Sequence, residues 1–424
     1  MKSFWYFFYN LIILPLLTLI FYLWGFFNSK IKDGIKGRKN LFDNLKNQIK
    51  KIDGTKTTVW FHSSSLGEFE QAKPIIEKLK HNLKANIVVS FFSPSGYNNS
   101  VNYPYADVIT YIPLDTVKNS QKFIKLIQPD KMIFMQYDYW PNMIWELKKQ
   151  KIPVYIIDAK MDKQSTRKLF FIKQFHISLF SNFTKILTIS EDDRKSFMDF
   201  NMEKNKIITI GDTRFDRVYS KSKKAKEKNL LSHNITYNKK IIVLGSTWSE
   251  DEKIIIPPLK KILIEIPEIL IIFAPHEPKE EKIRELEHRF HNQTIRFSNI
   301  SNYNNEKIIL IDSVGILSTL YYYAHIAFVG GSFKQKIHNV LEPAVYGIPV
   351  LFGPKYRNSK EAMELIEEGC GIEIKNENNM YFTVKKLLNN ETKRKHIGKI
   401  SENYIKQNIG VTDKIITEIF NDMN

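Results

Sequence analysis

The chain has 424 residues, 43% of them hydrophobic and 25% charged, with a formal net charge of +18. That length builds two or three domains, and that balance excludes a disordered chain. One cysteine, Cys370, excludes a disulfide framework and a cysteine-built metal site, while the excess of lysine suits anionic partners in general.

The first predicted element is SFWYFFYNLIILPLLTLIFYLWGFFNS, residues 3–29, which carries no charge between Lys2 and Lys30. A run of this length can cross a hydrocarbon core of about 30 Å. Trp5, Tyr6, Tyr9, Tyr22 and Trp24 suit the interfaces, and Pro15 is tolerated in such a helix. A secretory signal would have a shorter apolar region and a small-residue cleavage site. Residues 1–29 therefore read as an uncleaved single-pass anchor, with a buried or interfacial helix as the alternative. Lys30, Lys32, Lys36, Arg38 and Lys39 open a basic juxtamembrane segment, 30–50, and place the body on the cytoplasmic side.

From residue 57, short apolar runs alternate with amphipathic stretches. Strands are predicted at 57–61, 86–92, 107–112, 131–135, 154–157, 186–189 and 207–210, with helices at 68–80 and 120–127 among those between them. This α/β rhythm predicts a parallel sheet covered by helices over 51–217. The lysine-rich stretch 218–239 reads as a linker with a surface helix. The rhythm resumes at 240–245, 269–275, 307–312, 326–330 and 348–353, giving a second α/β domain over 240–400. Two such domains place ligands in a cleft at the carboxyl ends of their strands. The last segment, 401–424, reads as helical and as packing back on the first domain.

Three loops carry candidate chemistry. In FHSSSLGEFEQA (61–72), Ser65 and Glu68 have the spacing of a helix-capping box, and Gly67 allows a tight turn or the approach of a ligand. Alternatively, Glu68 faces a cleft and takes a proton from a sugar hydroxyl, with the serines holding the loop or a polar substrate. In QYDYWPN (136–142), Asp138 could orient a substrate and Trp140 form a wall, or the segment is a structural turn. In FVGGSFKQKIHNVLEPA (328–344), a strand runs through glycines and a basic loop into a helix near Asn339. Glu342 could hold ribose hydroxyls, and Lys334, Lys336 and the helix start could hold phosphate. Backbone N–H groups of Gly330, Gly331 and Ser332, and those near Ser246 and Thr247, could do the same.

HSSSLGE (62–68), WPN (140–142), DTRFD (212–216), GSTWSEDE (245–252), APHEP (274–278), DSVGIL (312–317) and GGSFKQKIHNVLEPA (330–344) occur in this order. Together they resemble the 3-deoxy-D-manno-octulosonic acid (Kdo) transferases of lipopolysaccharide synthesis, over nearly the whole length. The resemblance implies the GT-B fold, two Rossmann-like domains facing across a cleft. It also implies inverting transfer of Kdo from CMP-Kdo to the tetraacyl disaccharide bisphosphate precursor of lipid A (lipid IVA), at an anionic membrane surface, without metal or other cofactor. On that likeness Glu68 matches the catalytic base. Arg214, Ser246, Thr247, His276, Gly330, Gly331, Ser332, Lys336, Asn339 and Glu342 fall on the donor side. Ser64, Ser65, Gly67, Asp138, Trp140 and Lys160 fall on the acceptor side. The chain departs from the family pattern at Gln136, Asp138, Lys160, His276, Glu277, Ile316 and Ile337. Another GT-B enzyme using a UDP-sugar, a UDP-sugar 2-epimerase-like hydrolase and a non-catalytic membrane-tethered scaffold are the competing readings. The lysines are dispersed, with no nucleic-acid-binding module, so no nucleic-acid partner is expected.

Overall fold

The computed structural model describes residues 2–421. They divide into two compact units, one of residues 2–217 with 410–421 and one of residues 218–409.

In the first unit the strands are β1 (Thr58–Ser63), β2 (Asn86–Phe91), β3 (Val108–Tyr111), β4 (Lys131–Met135), β5 (Val154–Ala159), β6 (Lys185–Thr188) and β7 (Ile207–Thr209). All pair in parallel, in the order β3-β2-β1-β4-β5-β6-β7. The apolar runs become strands because both faces of a parallel sheet are covered. Every residue of β1, β2 and β4 is buried. Alternate side chains feed two cores: Trp60 and Met132 point to one, Val59, Phe61 and Ile133 to the other.

The second unit repeats the plan with β8 (Lys240–Thr247), β9 (Ile269–Pro275), β10 (Thr294–Arg296), β11 (Ile308–Leu310), β12 (Ile326–Val329), β13 (Val350–Phe352) and β14 (Gly371–Glu373), in the order β10-β11-β9-β8-β12-β13-β14. These pairings are also parallel. In each sheet the strand order reverses at one point, between β1 and β4 and between β8 and β12. Open α/β sheets bind ligands outside the carboxyl ends of the strands at such points.

Three boundaries differ from expectation. The stretch read as a linker begins inside the helix Thr213–Lys228, where no glycine or proline interrupts the chain and Phe215, Val218 and Ala225 are buried. The helix Glu391–Asn408 stays with the second unit. Only Val411–Phe420 returns to the first, after a turn at Gly410 with φ of +93°. Positions 422–424 of the expected terminal helix lie outside the described residues.

The N-terminal segment is helical over Lys2–Phe8 and Leu14–Phe27, joined by a wider turn at Tyr9–Ile13. Phe4–Phe27 is long and apolar enough to cross a membrane, by length and composition.

Candidate active site

In the first unit, the loops leaving β1 and β4 meet at the reversal point. Ser65 ends the extended chain and the helix Leu66–Asn82 follows, with Glu68 in its first turn. Oε2 of Glu68 accepts hydrogen bonds from the backbone N–H groups of Ser64 and, at 3.3 Å, Ser65. The capping reading is therefore realised on one oxygen. Among the described residues Oε1 has no hydrogen-bond partner. Glu68 is 7% exposed, and burial first, then the charge of Asp138, pushes its pKa up. The Ser64 and Ser65 N–H groups and His62 oppose that rise.

Beside it, His62 closes β1 within a relay of donors. Trp60 Nε1 donates to Ser90 Oγ at 2.8 Å, and Ser90 lies 2.9 Å from His62 Nδ1. His62 Nε2 lies 2.8 Å from Asp138 Oδ2, which also accepts from Trp140 Nε1 at 3.2 Å. With Ser90 donating to Nδ1, the Nε2 proton goes to Asp138. Burial disfavours the Asp138 carboxylate, but hydrogen bonds from His62, Trp140 and Ser64 and the His62 charge hold its pKa below the ordinary value. Trp140 is half-buried between Phe92 (ring centroids 5.5 Å apart) and His62 (5.9 Å). Glu68, Ser64, Ser65, Asp138 and Trp140 thus come together. Gly67 is exposed, has no left-handed φ, and has room for a Cβ, so the tight-turn reading does not hold.

Lys160 and Arg214 share a second acidic centre in this unit. Arg214 forks onto Asp212, with Nε 3.0 Å and Nη2 2.6 Å from Oδ2. Against burial, Arg214 and Lys160 hold Asp212 low. Burial and the Asp212 charge push Asp158 up to about 7. Arg214 and Lys160, expected on the donor and acceptor sides respectively, both act on this pair of carboxylates.

In the second unit, a cavity of about 310 Å³ is lined by Ser246, His276, Gly315, Leu317 and Glu342, with Lys221 at its edge. It gathers three of the predicted residues: Ser246 and His276 at the carboxyl ends of β8 and β9, and Glu342 beyond β12. His276 packs against both Trp248 and His338, with ring centroids 4.4 Å away in each case, and the Trp248 and His338 rings lie 6.5 Å apart. Trp248 Nε1 donates to His338 Nε2 at 3.0 Å, and burial, then His276, lowers the His338 pKa to about 4. Lys334 Nζ sits 3.5 Å from the Trp248 ring centroid, a cation–π contact.

Several donor-side expectations are corrected. Gly330 N–H donates to Gly245 O at 2.9 Å and Gly331 N–H to Asp251 Oδ2 at 2.8 Å, so neither is free for phosphate. Gly330 is required because a Cβ would stand 2.3 Å from Ser246 O, and Gly331 because its φ is +94°. Ser332 is buried, with Oγ accepting from Gly353 N–H at 2.6 Å. Thr247 is buried too, its hydroxyl 3.3 Å from Glu252. The helix expected near Asn339 is a single turn, Leu341–Ala344, too short to act as a phosphate-binding helix start. Asn339 Oδ1 accepts from Leu341 N–H at 3.1 Å, and Lys336 is exposed.

His62, Trp248, His338 and Asp251 were not singled out as functional residues from the sequence. A histidine at the end of the apolar run TVWF was the available signal for His62. For Trp248 it was an aromatic directly after a strand-end Ser-Thr pair.

Two all-parallel sheets, each with a polar cluster at its reversal point, define a GT-B-type α/β protein. Solved UDP-GlcNAc 2-epimerases share the architecture: that of Neisseria meningitidis, bound to UDP-GlcNAc, aligns with a TM-score of 0.61 at 16% identity, covering 85% of this chain and 99% of that one. A putative one from Listeria monocytogenes aligns with 0.60 at 14% identity, covering 87% and 98%. Residues 38–217 match the family described as 3-deoxy-D-manno-octulosonic-acid transferase (kdotransferase). Curated Kdo transferases carry the likeness through most of the chain. That of Rickettsia prowazekii is 28% identical over 78% of this chain and 72% of its own length. That of Aquifex aeolicus is 28% identical over 80% and 88%, and that of Haemophilus influenzae 26% over 84% and 85%. These relationships support a Kdo glycosyltransferase role in lipopolysaccharide synthesis.

Proposed function

We propose that the protein transfers Kdo from CMP-Kdo to lipid IVA, inverting the anomeric configuration, with Glu68 as general base and without a metal. The observation that carries this reading is the Glu68 carboxylate at the β1/β4 reversal point, with one oxygen held by two N–H groups and the other unpartnered. An acceptor hydroxyl gives its proton to Oε1 as its oxygen bonds to the anomeric carbon. The bond from that carbon to the CMP phosphate oxygen breaks, and CMP leaves with the electron pair. Holding Oε2 fixes the base without quenching it, and burial raises its affinity for the proton. In the second unit, Glu342 binds ribose hydroxyls, while Ser246, His276 and Lys334 receive the nucleotide. We place the protein at the cytoplasmic face of the inner membrane, held by its N-terminal helix, where an acylated acceptor is available.

The test is incubation of detergent-solubilised protein with a CMP-Kdo generating system and lipid IVA, counting added Kdo by mass spectrometry, with and without a metal chelator. Transfer that survives chelation supports the reading. Failure of the folded parent to transfer rejects it.

A further inference from the structure

The N-terminal helix touches the body along much of its length. Phe4–Phe27 has 24 residues, about 36 Å of helix. Near its start, the Trp5 ring meets Phe175 with centroids 5.8 Å apart and Tyr6 meets Trp145 at 5.4 Å. Further along, the Tyr9 hydroxyl donates to Asp115 Oδ2 at 2.9 Å. Asn10 and Asn142 exchange side-chain hydrogen bonds of 3.0 and 2.8 Å. Towards its end, Phe21 meets Phe92 at 5.7 Å. Trp5 and Phe21 are about 24 Å apart along the axis. Phe92, Asp115, Asn142, Trp145 and Phe175 all belong to the first unit.

A helix that crosses a bilayer leaves a water-soluble body at one end. This one runs beside it. The middle contact is polar and closed: Asp115 is 2% exposed and also accepts from the N–H groups of Asn142 at 3.0 Å and Met143 at 3.1 Å. Pulling Tyr9 and Asn10 into hydrocarbon would leave these buried partners short of hydrogen bonds. The wider turn at Tyr9–Ile13 falls at this clamp. The opposite face is apolar and open, with Phe7, Leu11 and Leu16 each more than half exposed.

A second apolar patch continues it. Leu169, Phe170 and Phe171 are 59%, 72% and 76% exposed. They stand at the start of the helix Phe170–Phe180, the same helix whose Phe175 packs on Trp5 and, at 6.0 Å, on Tyr9. Beyond the apolar helix, Lys30, Lys32, Lys36 and Lys39 are exposed, with one nearby acid, Asp33. Apolar length, aromatic tips and flanking lysines fit the headgroup–acyl boundary of an anionic bilayer.

We propose that the N-terminal helix lies in the plane of the membrane surface instead of crossing it, and that Leu169–Phe171 inserts beside it. The single-pass topology expected from the sequence is replaced by a monotopic one. The inference rests on the membrane reading above, and the experiment separates the two.

A protease-cleavable epitope is fused ahead of Met1 in the full chain. Inner-membrane vesicles of both orientations are then treated with the protease. Cleavage in inverted vesicles, where the body is exposed, and protection in spheroplasts is the expected result. Cleavage only from the periplasmic side overturns the in-plane helix while keeping the membrane reading. Failure of the chain to sediment with anionic phospholipid vesicles overturns both. Phe170→Asp with Phe171→Asp, at exposed positions that spare the fold, is expected to weaken vesicle partitioning about tenfold or more. Unchanged partitioning overturns the second insertion point.

Discussion

At Glu68, the proposal gives one carboxylate two duties, cap and base, and substitution can separate them. Glutamine keeps an acceptor for the Ser64 and Ser65 N–H groups but has no basic oxygen. Glu68→Gln is therefore expected to lower kcat by roughly 10²–10⁴-fold with a melting temperature close to the parent's. Glu68→Ala also loses the cap, at roughly 0.3–1.5 kcal/mol. Retained transfer in the glutamine variant would reduce Glu68 to a cap. The acid side of the rate profile gives a second check. As the proposed base Glu68 must be ionised, and burial together with Asp138 lifts its pKa above the ordinary 4.5. Activity should fall as pH drops through that raised value. Removing the neighbouring charge with Asp138→Asn takes away one of the raising causes, so the acid limb of kcat/KM should move to lower pH. A limb that stays put belongs to another group.

The loops after β8 and β12 show how a buried carboxylate outside the proposed binding residues positions them. Asp251, in the first turn of the helix Ser249–Glu265, accepts from the N–H groups of Trp248 at 2.8 Å, Gly331 at 2.8 Å and Phe333 at 3.1 Å. Its carboxylate ties Trp248, one of the three clustered rings, to the loop carrying Lys334. Asp251→Ala leaves three N–H groups without their acceptor and is expected to cost on the order of 3 kcal/mol in urea unfolding. Glu342→Gln should instead leave the unfolding midpoint near the parent's and weaken CMP binding about tenfold by calorimetry. A reversed pattern would exchange their roles. This contrast also marks what the sequence could disclose. The parallel sheets were legible because buried strands read as unbroken apolar runs. The edge strands Thr294–Arg296 and Gly371–Glu373 were not, since each is three residues long and offers no run to detect. Glu68 and His276 stood out as candidates because they follow strand ends in the quoted motifs, Ser246 because it lies at the end of β8, and Glu342 because it follows the glycine loop after β12. Gly330 and Gly331 misled because a glycine turn looks the same whether its N–H groups are free or bound. Their partners, Gly245 and Asp251, lie some 80 residues away in sequence.

Across the whole molecule, the chain leaves the first unit at residue 217 and returns to it at residue 410. Gly410 and Thr412 N–H groups donate to Asp216 at 2.7 and 2.5 Å, which fixes the entry angle of the last helix. Val411, Ile415, Ile419 and Phe420 are each no more than 2% exposed and join Phe69, Ile75 and Leu79 in one core. At roughly 1.5–3 kcal/mol for each buried side chain, their loss rivals the 5–15 kcal/mol that stabilises an ordinary domain. A chain ending at Ile409 should therefore lose the unfolding transition of the first unit and keep that of the second in calorimetry. Two intact transitions would make the returning helix dispensable. The milder Ile415→Ala links this packing to catalysis. It should cost about 2–5 kcal/mol, and it loosens the support under the helix Leu66–Asn82, whose first turn carries Glu68. If the returning helix positions the proposed base, kcat should drop at temperatures where the variant remains folded, while KM for CMP-Kdo, which the proposal assigns to the second unit, stays unchanged. Parent-like kcat would confine the helix to stability.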